Sequence, residues 1–200
     1  MSENKSTSLD KMPPTLDFLN YICKLKHLDR AGWVRCGIEK PEPVAAHMYR
    51  MAVMSAFIIR DPSIDANKCI RLSIVHDMGE SIIGDITPHD DVPKTTKAAM
   101  EFAAIEKITS LLPGASGEEL LNLFVEYEEG KTPEAKIVKY LDRYDMIQQA
   151  YEYERNEKKP KFLQEFFDAT ANFFDDSHPI IKDLVDKLLA AREANTPFSQ

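Results

Sequence analysis

Cysteine is scarce in these 200 residues, and the three present, Cys23, Cys36 and Cys69, are odd in number and far apart. That excludes a disulfide framework and a paired-cysteine metal knuckle. Cys23 and Cys69 fall on helical stretches and are expected to be buried. No apolar run approaches the roughly 20 residues that span a bilayer. The opening MSENKSTSLDKMPP lacks the apolar segment of a secretory signal. Residues 1–14 are therefore expected to form a disordered leader, 15–195 one domain and 196–200 a flexible tail. The expected location is the cytoplasm, or also the nucleus. Basic charge is in deficit, with 25 Lys and Arg against 33 Asp and Glu and a formal net charge of −8. This argues against a broad nucleic-acid surface. It leaves room for a small anionic substrate wherever a metal or an arginine reverses the local field. Alternating strand patterns and internal repeats are missing as well.

What is present is helix. Thr15 is placed to cap TLDFLNYICKLKHL, whose stripe is Phe18, Ile22 and Leu25. DRAGWVRCGIEKPEP reads as a loop, and VAAHMYRMAVMSAFIIR as an apolar helix ending before Asp61-Pro62. Asp65 caps one continuous helix, ANKCIRLSIVHDMGESII, which Gly84 ends. DITPHDDVPK is an irregular loop, and KTTKAAMEFAAIEKITSLL a helix closed by Pro113-Gly114. Ser116 and Glu119 have the spacing of a capping box, and Thr132-Pro133 opens a long helix with proline at its tolerated first position. FLQEFFDATANFF and PIIKDLVDKLLAAREA complete an all-α, single-domain helical bundle.

Four ionisable groups interrupt this apolar pattern. His76 and Asp77 directly follow the run LSIV, Glu80 comes within a turn, and Gly84-Asp85 follows. His47 lies within the preceding apolar helix beside Ala45, Ala46 and Met48, and Asp142 lies within IVKYLDRYDMI. Three separate helices thus bring imidazole or carboxylate into apolar surroundings. Burying unpaired carboxylates is costly, and imidazole with carboxylate is a ligand set for a divalent transition metal.

The pattern His47, His76-Asp77, Asp142 resembles the signature of the HD-domain metallophosphohydrolases, with His76 following His47 by 29 positions and Asp142 following Asp77 by 65. The flanks LKHLDRAGWVRCGI, HMYRMAVMS, HDMGESIIGDITP and the stretch through LDRYDMIQQAYEYE are similar to its 5′-deoxynucleotidase branch. The resemblance implies that His47, His76, Asp77 and Asp142 hold a divalent metal (Mn²⁺, Co²⁺, Mg²⁺, Zn²⁺ or Fe²⁺). It implies that Glu80 and Asp77 serve catalysis, and that Glu80, Asp85 and the Ile86 carbonyl take additional metal. Arg30 would contact the phosphate of a deoxynucleoside monophosphate, Trp33 would pack near its sugar, and Asp85 would meet the sugar hydroxyl. In the bacterial pattern the arginine and tryptophan are adjacent, whereas Ala31-Gly32 intervene here. A homodimer is also implied, with no nucleic-acid or membrane partner.

Other readings stay open at this level. Activity on a cyclic nucleotide, a polyphosphorylated nucleotide or a dNTP fits the same ligand skeleton, as does a non-catalytic binding role. Glu80 also reads as a solvated helix residue, Arg30 as a loop residue, and Trp33 as a core anchor. Asp145 reads as a support for the ligands or as surface. EYEEG reads as a wet helix end, and His27, His89 and His178 as surface or turn residues.

Overall fold

The structure, a computed structural model, describes residues 13–194. The leader, apart from Pro13-Pro14, and the tail expected at 196–200 lie outside the described residues. In chain order the helices are α1 (Pro14–Leu25), α2 (Ala31–Arg35), α3 (Val44–Phe57), α4 (Ala66–Val75), α5 (Glu80–Ile83), α6 (Lys94–Thr109), α7 (Ser116–Glu129), α8 (Pro133–Asn156), α9 (Gln164–Asp168) and α10 (Pro179–Glu193). Among the described residues there is no strand, only an isolated bridge between Asp29 and Pro43. No described helix is long and apolar enough to cross a membrane.

Helix starts follow the chemistry of unpaired N–H groups. Proline, which has none to leave unpaired, opens α1, α8 and α10. The Asp65 carboxylate accepts the N–H groups of Asn67 and Lys68 at the head of α4, and the Thr132 hydroxyl accepts that of Ala135 in α8. Two expected caps do not form. Thr15 lies inside α1, behind Pro13, and α7 begins at Ser116 with Ala115 before it and no side-chain cap. Glu119 turns outward to Arg71 instead, at 2.5 Å.

Three further expectations are corrected. The loop after α1 contains the short helix α2, and its ends are pinched together by Arg30 N–H donating to Glu42 C=O and Val44 N–H to Leu28 C=O. The helix expected over 162–174 is helical only in α9 and continues as turns. The helix expected to run unbroken to Gly84 stops at Val75 and resumes at Glu80. Between them the bonding tightens to three-residue steps: Met78 N–H to Val75, Glu80 N–H to Asp77, Ser81 N–H to Met78. The turn lies against α6, where a Cβ at Gly79 would stand 3.4 Å from the Glu101 carbonyl oxygen.

Two apolar clusters meet along α3. One gathers Met51, Leu72, Leu141, Ile147 and Trp33 around the long helix α8, and the other gathers Val44, Met48, Val75, Ile105 and Phe124. Each fully buried side chain of this size contributes roughly 1.5–3 kcal/mol relative to exposure. Cys69 is buried as expected, but Cys23 is exposed. Phe167 and Phe174 complete the core, while Phe173 stays exposed. His47 lies at the seam between the clusters, one position before Met48 and four before Met51.

Candidate metal centre

His47 on α3, His76 and Asp77 in the turn after α4, and Asp142 on α8 come together at this seam. His47 Nε2 is 3.2 Å from Asp142 Oδ1 and 3.8 Å from Asp77 Oδ2, and His76 Nε2 is 3.1 Å from Asp77 Oδ2. One ligand atom each from His47, His76 and Asp142 falls within a 4.8 Å set.

The other ring nitrogens decide what these contacts mean. His76 Nδ1 lies 2.9 Å from the Ser73 carbonyl, which can only accept, so Nδ1 carries the proton. His47 Nδ1 lies 2.6 Å from Asp145 Oδ2 and is a donor for the same reason. In the neutral rings both Nε2 atoms therefore present lone pairs, and both are buried without a hydrogen-bond partner. Lone pairs facing carboxylates require a proton or a cation between them. The residues present fit a divalent cation, with neutral imidazoles oriented from behind and two carboxylates completing the set. Titration reflects the same crowding. Burial pulls His47 down, yet Asp142 and Asp145 outweigh it and hold the ring up at about 9. Burial pushes Asp77 up, but His76 and His47 bring it down to about 2. Asp142 is likewise held far below the ordinary carboxylate range, against its burial, by His47 and Arg143.

Two supporting residues escaped the sequence reading or were left open in it. Asp145 is fully buried, binds His47 through one oxygen and receives Arg50 Nε on the other. Arg50 continues outward to Glu152 at 3.1 Å. The signal was there: Asp145 follows Asp142 by three positions, so both lie on one helical face. Tyr127 belongs to the stretch expected to be a wet helix end, and there Glu128 and Glu129 are indeed exposed. Tyr127 itself is buried, with its ring centroid 5.1 Å from that of His76 and its hydroxyl 3.5 Å from Asp142 Oδ2. The signal was there too: Tyr127 follows Leu120 by seven positions and Phe124 by three, the spacing of one helical face.

The acids and cations beside the ligand set have distinct places. Glu80 is buried with Oε2 unpartnered, and burial, Asp77 and Asp85 push its carboxyl well above the ordinary range. Arg30 precedes α2. Burial opposes its charge, but Asp142, Asp77, Glu42 and Asp85 raise its pKa. Asp85 Oδ2 accepts the Ala31 N–H at 2.8 Å. The Ile86 carbonyl accepts Lys97 Nζ at 2.7 Å, so a cation at that carbonyl has an ammonium to displace. Trp33, expected near the sugar, is almost wholly internal. It is 1% exposed, packs on Phe166 and Tyr153, and donates Nε1–H to Glu42 Oε1 at 3.3 Å. Its indole is a core anchor. His178 is also more than a turn residue, since it accepts the Ile180 N–H and contacts Asp61.

Against known proteins, the HD domain model matches residues 22–182. The 5′-deoxynucleotidase HDDC2 of Mus musculus is 49% identical over 180 residues, covering 90% of this chain and 89% of the relative. Its namesake in Homo sapiens is 48% identical, covering 90% and 87%. Among solved structures, the PH0347 protein from Pyrococcus horikoshii superposes with a TM-score of 0.70 at 31% identity, covering 89% of this chain and 98% of that one.

Two outcomes are expected. Asp145→Asn should keep the fold but weaken divalent-metal affinity by about ten- to a hundredfold, because ligand orientation is lost; competition with a chelator reads this, and an unchanged affinity would refute the support role. Metal must also displace the proton that His47 holds up to about pH 9. Apparent affinity should therefore climb with pH and level off above about 9, and a flat profile in chelator-buffered titrations would contradict the assignment.

Proposed function

The chain belongs to the HD-domain family, and from that premise we propose that it is a metal-dependent 5′-deoxynucleotidase, releasing phosphate from deoxyribonucleoside 5′-monophosphates. The observation that carries the proposal is the pair of buried, unpartnered Nε2 atoms facing Asp77 and Asp142. The relatives' shared activity supplies the substrate class.

In this reading His47, His76, Asp77 and Asp142 hold one divalent cation. Two imidazoles and two carboxylates suit Mn²⁺, Co²⁺, Fe²⁺ or Zn²⁺. Carboxylate positions at Glu80 and Asp85 would suit Mg²⁺ or Mn²⁺ as a further ion, but Lys97 occupies the Ile86 carbonyl, so this reading keeps to the single ion. The chemistry supplied by a bound cation is Lewis acidity, which acidifies water and polarises a phosphoryl oxygen. Arg30, whose guanidinium already answers the charge of Asp77 and Asp142, takes the charge of the phosphoryl group and can do so through two parallel hydrogen bonds. Glu80, whose carboxyl burial and its acidic neighbours push well above the ordinary range, would give a proton to the departing 5′-oxygen. Asp85 spends Oδ2 on Ala31, leaving Oδ1 for the sugar 3′-hydroxyl.

The homodimer is proposed on an apolar stripe. Tyr49, Val53 and Phe57 recur every fourth residue on α3 and are 72%, 36% and 68% exposed, which suits burial by a second copy.

The deciding experiment measures phosphate release from dNMPs, the matching NMPs and p-nitrophenyl phosphate, after chelation and with Co²⁺, Mn²⁺, Mg²⁺ or Zn²⁺ restored. Release from dNMPs well above NMPs, lost by about a hundredfold or more in Asp77→Ala, is the expected result. No release from any monophosphate with metal bound would sink the proposal. Glu80→Gln should lower kcat on dNMPs by about 10²- to 10⁴-fold. It should cost far less on p-nitrophenyl phosphate, whose leaving group needs no proton. Equal losses would remove Glu80 from the role of acid.

A further inference from the structure

The dipeptide Asp85-Ile86 is tied to two elements remote from it in sequence. On one side Asp85 Oδ2 accepts the Ala31 N–H of α2, 54 positions away. On the other the Ile86 carbonyl accepts Lys97 Nζ from the first turns of α6. Lys97 is itself braced one turn further on by Glu101, whose Oε1 is 3.5 Å from the ammonium. The rest of the loop is held by its own bonds, with Asp90 Oδ2 accepting both the N–H and the hydroxyl of Thr87. Before the dipeptide stands Gly84 at φ 80°, in the region glycine tolerates, so the chain leaves α5 without a side chain to anchor it. The bonds that set this dipeptide between α6 and α2 are therefore the lysine and the aspartate themselves. Arg30, by contrast, has a separate attachment, since its N–H donates to the Glu42 carbonyl and its guanidinium lies 3.9 Å from the Glu42 carboxylate.

We infer that Lys97 is a positioning residue: its ammonium holds the Ile86 carbonyl, and so keeps the Asp85 carboxylate fixed against α2 where it meets the substrate's sugar. The inference rests on the reading of Asp85 as the sugar-side acid. Lys97 acts through the backbone of the neighbouring residue and contacts no reacting atom. The requirement is for a donor on a long stem at this place on α6, which arginine also meets and methionine does not.

Two measurements test it with Lys97→Met and Lys97→Arg. The first is hydrogen exchange in the protein without substrate. Lys97→Met should accelerate exchange of the Ala31 amide by about tenfold, the scale of one lost charge-assisted hydrogen bond, while α8 amides such as Ile147 keep their protection. Lys97→Arg should restore the slow rate. The second is kinetic. Lys97→Met should raise KM for a dNMP by about tenfold with kcat within about twofold, again the scale of one such bond. Turnover of p-nitrophenyl phosphate, which offers no sugar, should stay unchanged. Added to Asp85→Asn, the same substitution should cost little more, because both act on one contact. An Ala31 amide that stays protected in Lys97→Met overturns the inference, as does a full additive loss on Asp85→Asn. If the unaltered protein released no phosphate from dNMPs, the functional reading would fall, and the exchange rates would still decide whether Lys97 holds the Asp85-Ile86 dipeptide.

Discussion

Inside this protein two imidazoles, each with its Nδ1 already bound to an acceptor, turn their Nε2 atoms toward two carboxylates. That confrontation is the constraint around which the rest is arranged. His47 and His76 are locked into it because each has spent its other nitrogen on an acceptor, Asp145 or the Ser73 carbonyl. Ring rotation offers no escape without breaking a buried hydrogen bond. A positive charge at the centre relieves all four groups at once, and until it arrives a proton on His47 is the substitute. The same electrostatics sort the neighbours. Glu80, next in line, is pressed toward its neutral acid, while Arg30 is drawn in as a countercharge.

The fold serves this arrangement by bringing three rigid pieces to one seam. Helix α3 carries His47 between two apolar clusters, so its position is fixed by packing on both sides. Helix α8 carries Asp142 and Asp145 on one face, one toward the centre and one behind the imidazole. The third piece is a turn and not a helix. In it the His76 Nδ1–H donates to the Ser73 carbonyl while Nε2 lies 3.1 Å from Asp77 Oδ2, so two residues adjacent in the chain meet at the same point.

Much of this was legible in the chain. Histidine and aspartate inside apolar stretches announce themselves, because residue type contradicts context, and the helices that hold them follow from periodicity and from Asp65, Thr132 and proline at their starts. What was illegible depended on partners distant in sequence. The turn at Gly79 lies close against α6, a neighbour that local pattern does not announce. Glu119 meets Arg71 of α4 and forms no capping box, since Ser116 is already inside the helix. The burial of Trp33 comes from Phe166 and Tyr153, more than a hundred positions away. Tyr127, though set among acids, could be read from its spacing to Leu120 and Phe124. Local chemistry wrote the helices and the ligands; tertiary contact chose the orientation of the residues between them.

The spacing of the ligands along the chain has a mechanical meaning. His47, the pair His76-Asp77 and Asp142 are separated by long intervals of sequence, and α4, α6 and α7 are strung between them. An ion gripping all of them would be a removable cross-link between segments far apart in the chain. Unlike a disulfide, such a link would exist only in the folded chain, so it would stabilise by mass action and not by restraining the unfolded one. Its removal would withdraw that increment while the two apolar clusters and every helix's own hydrogen bonds remain.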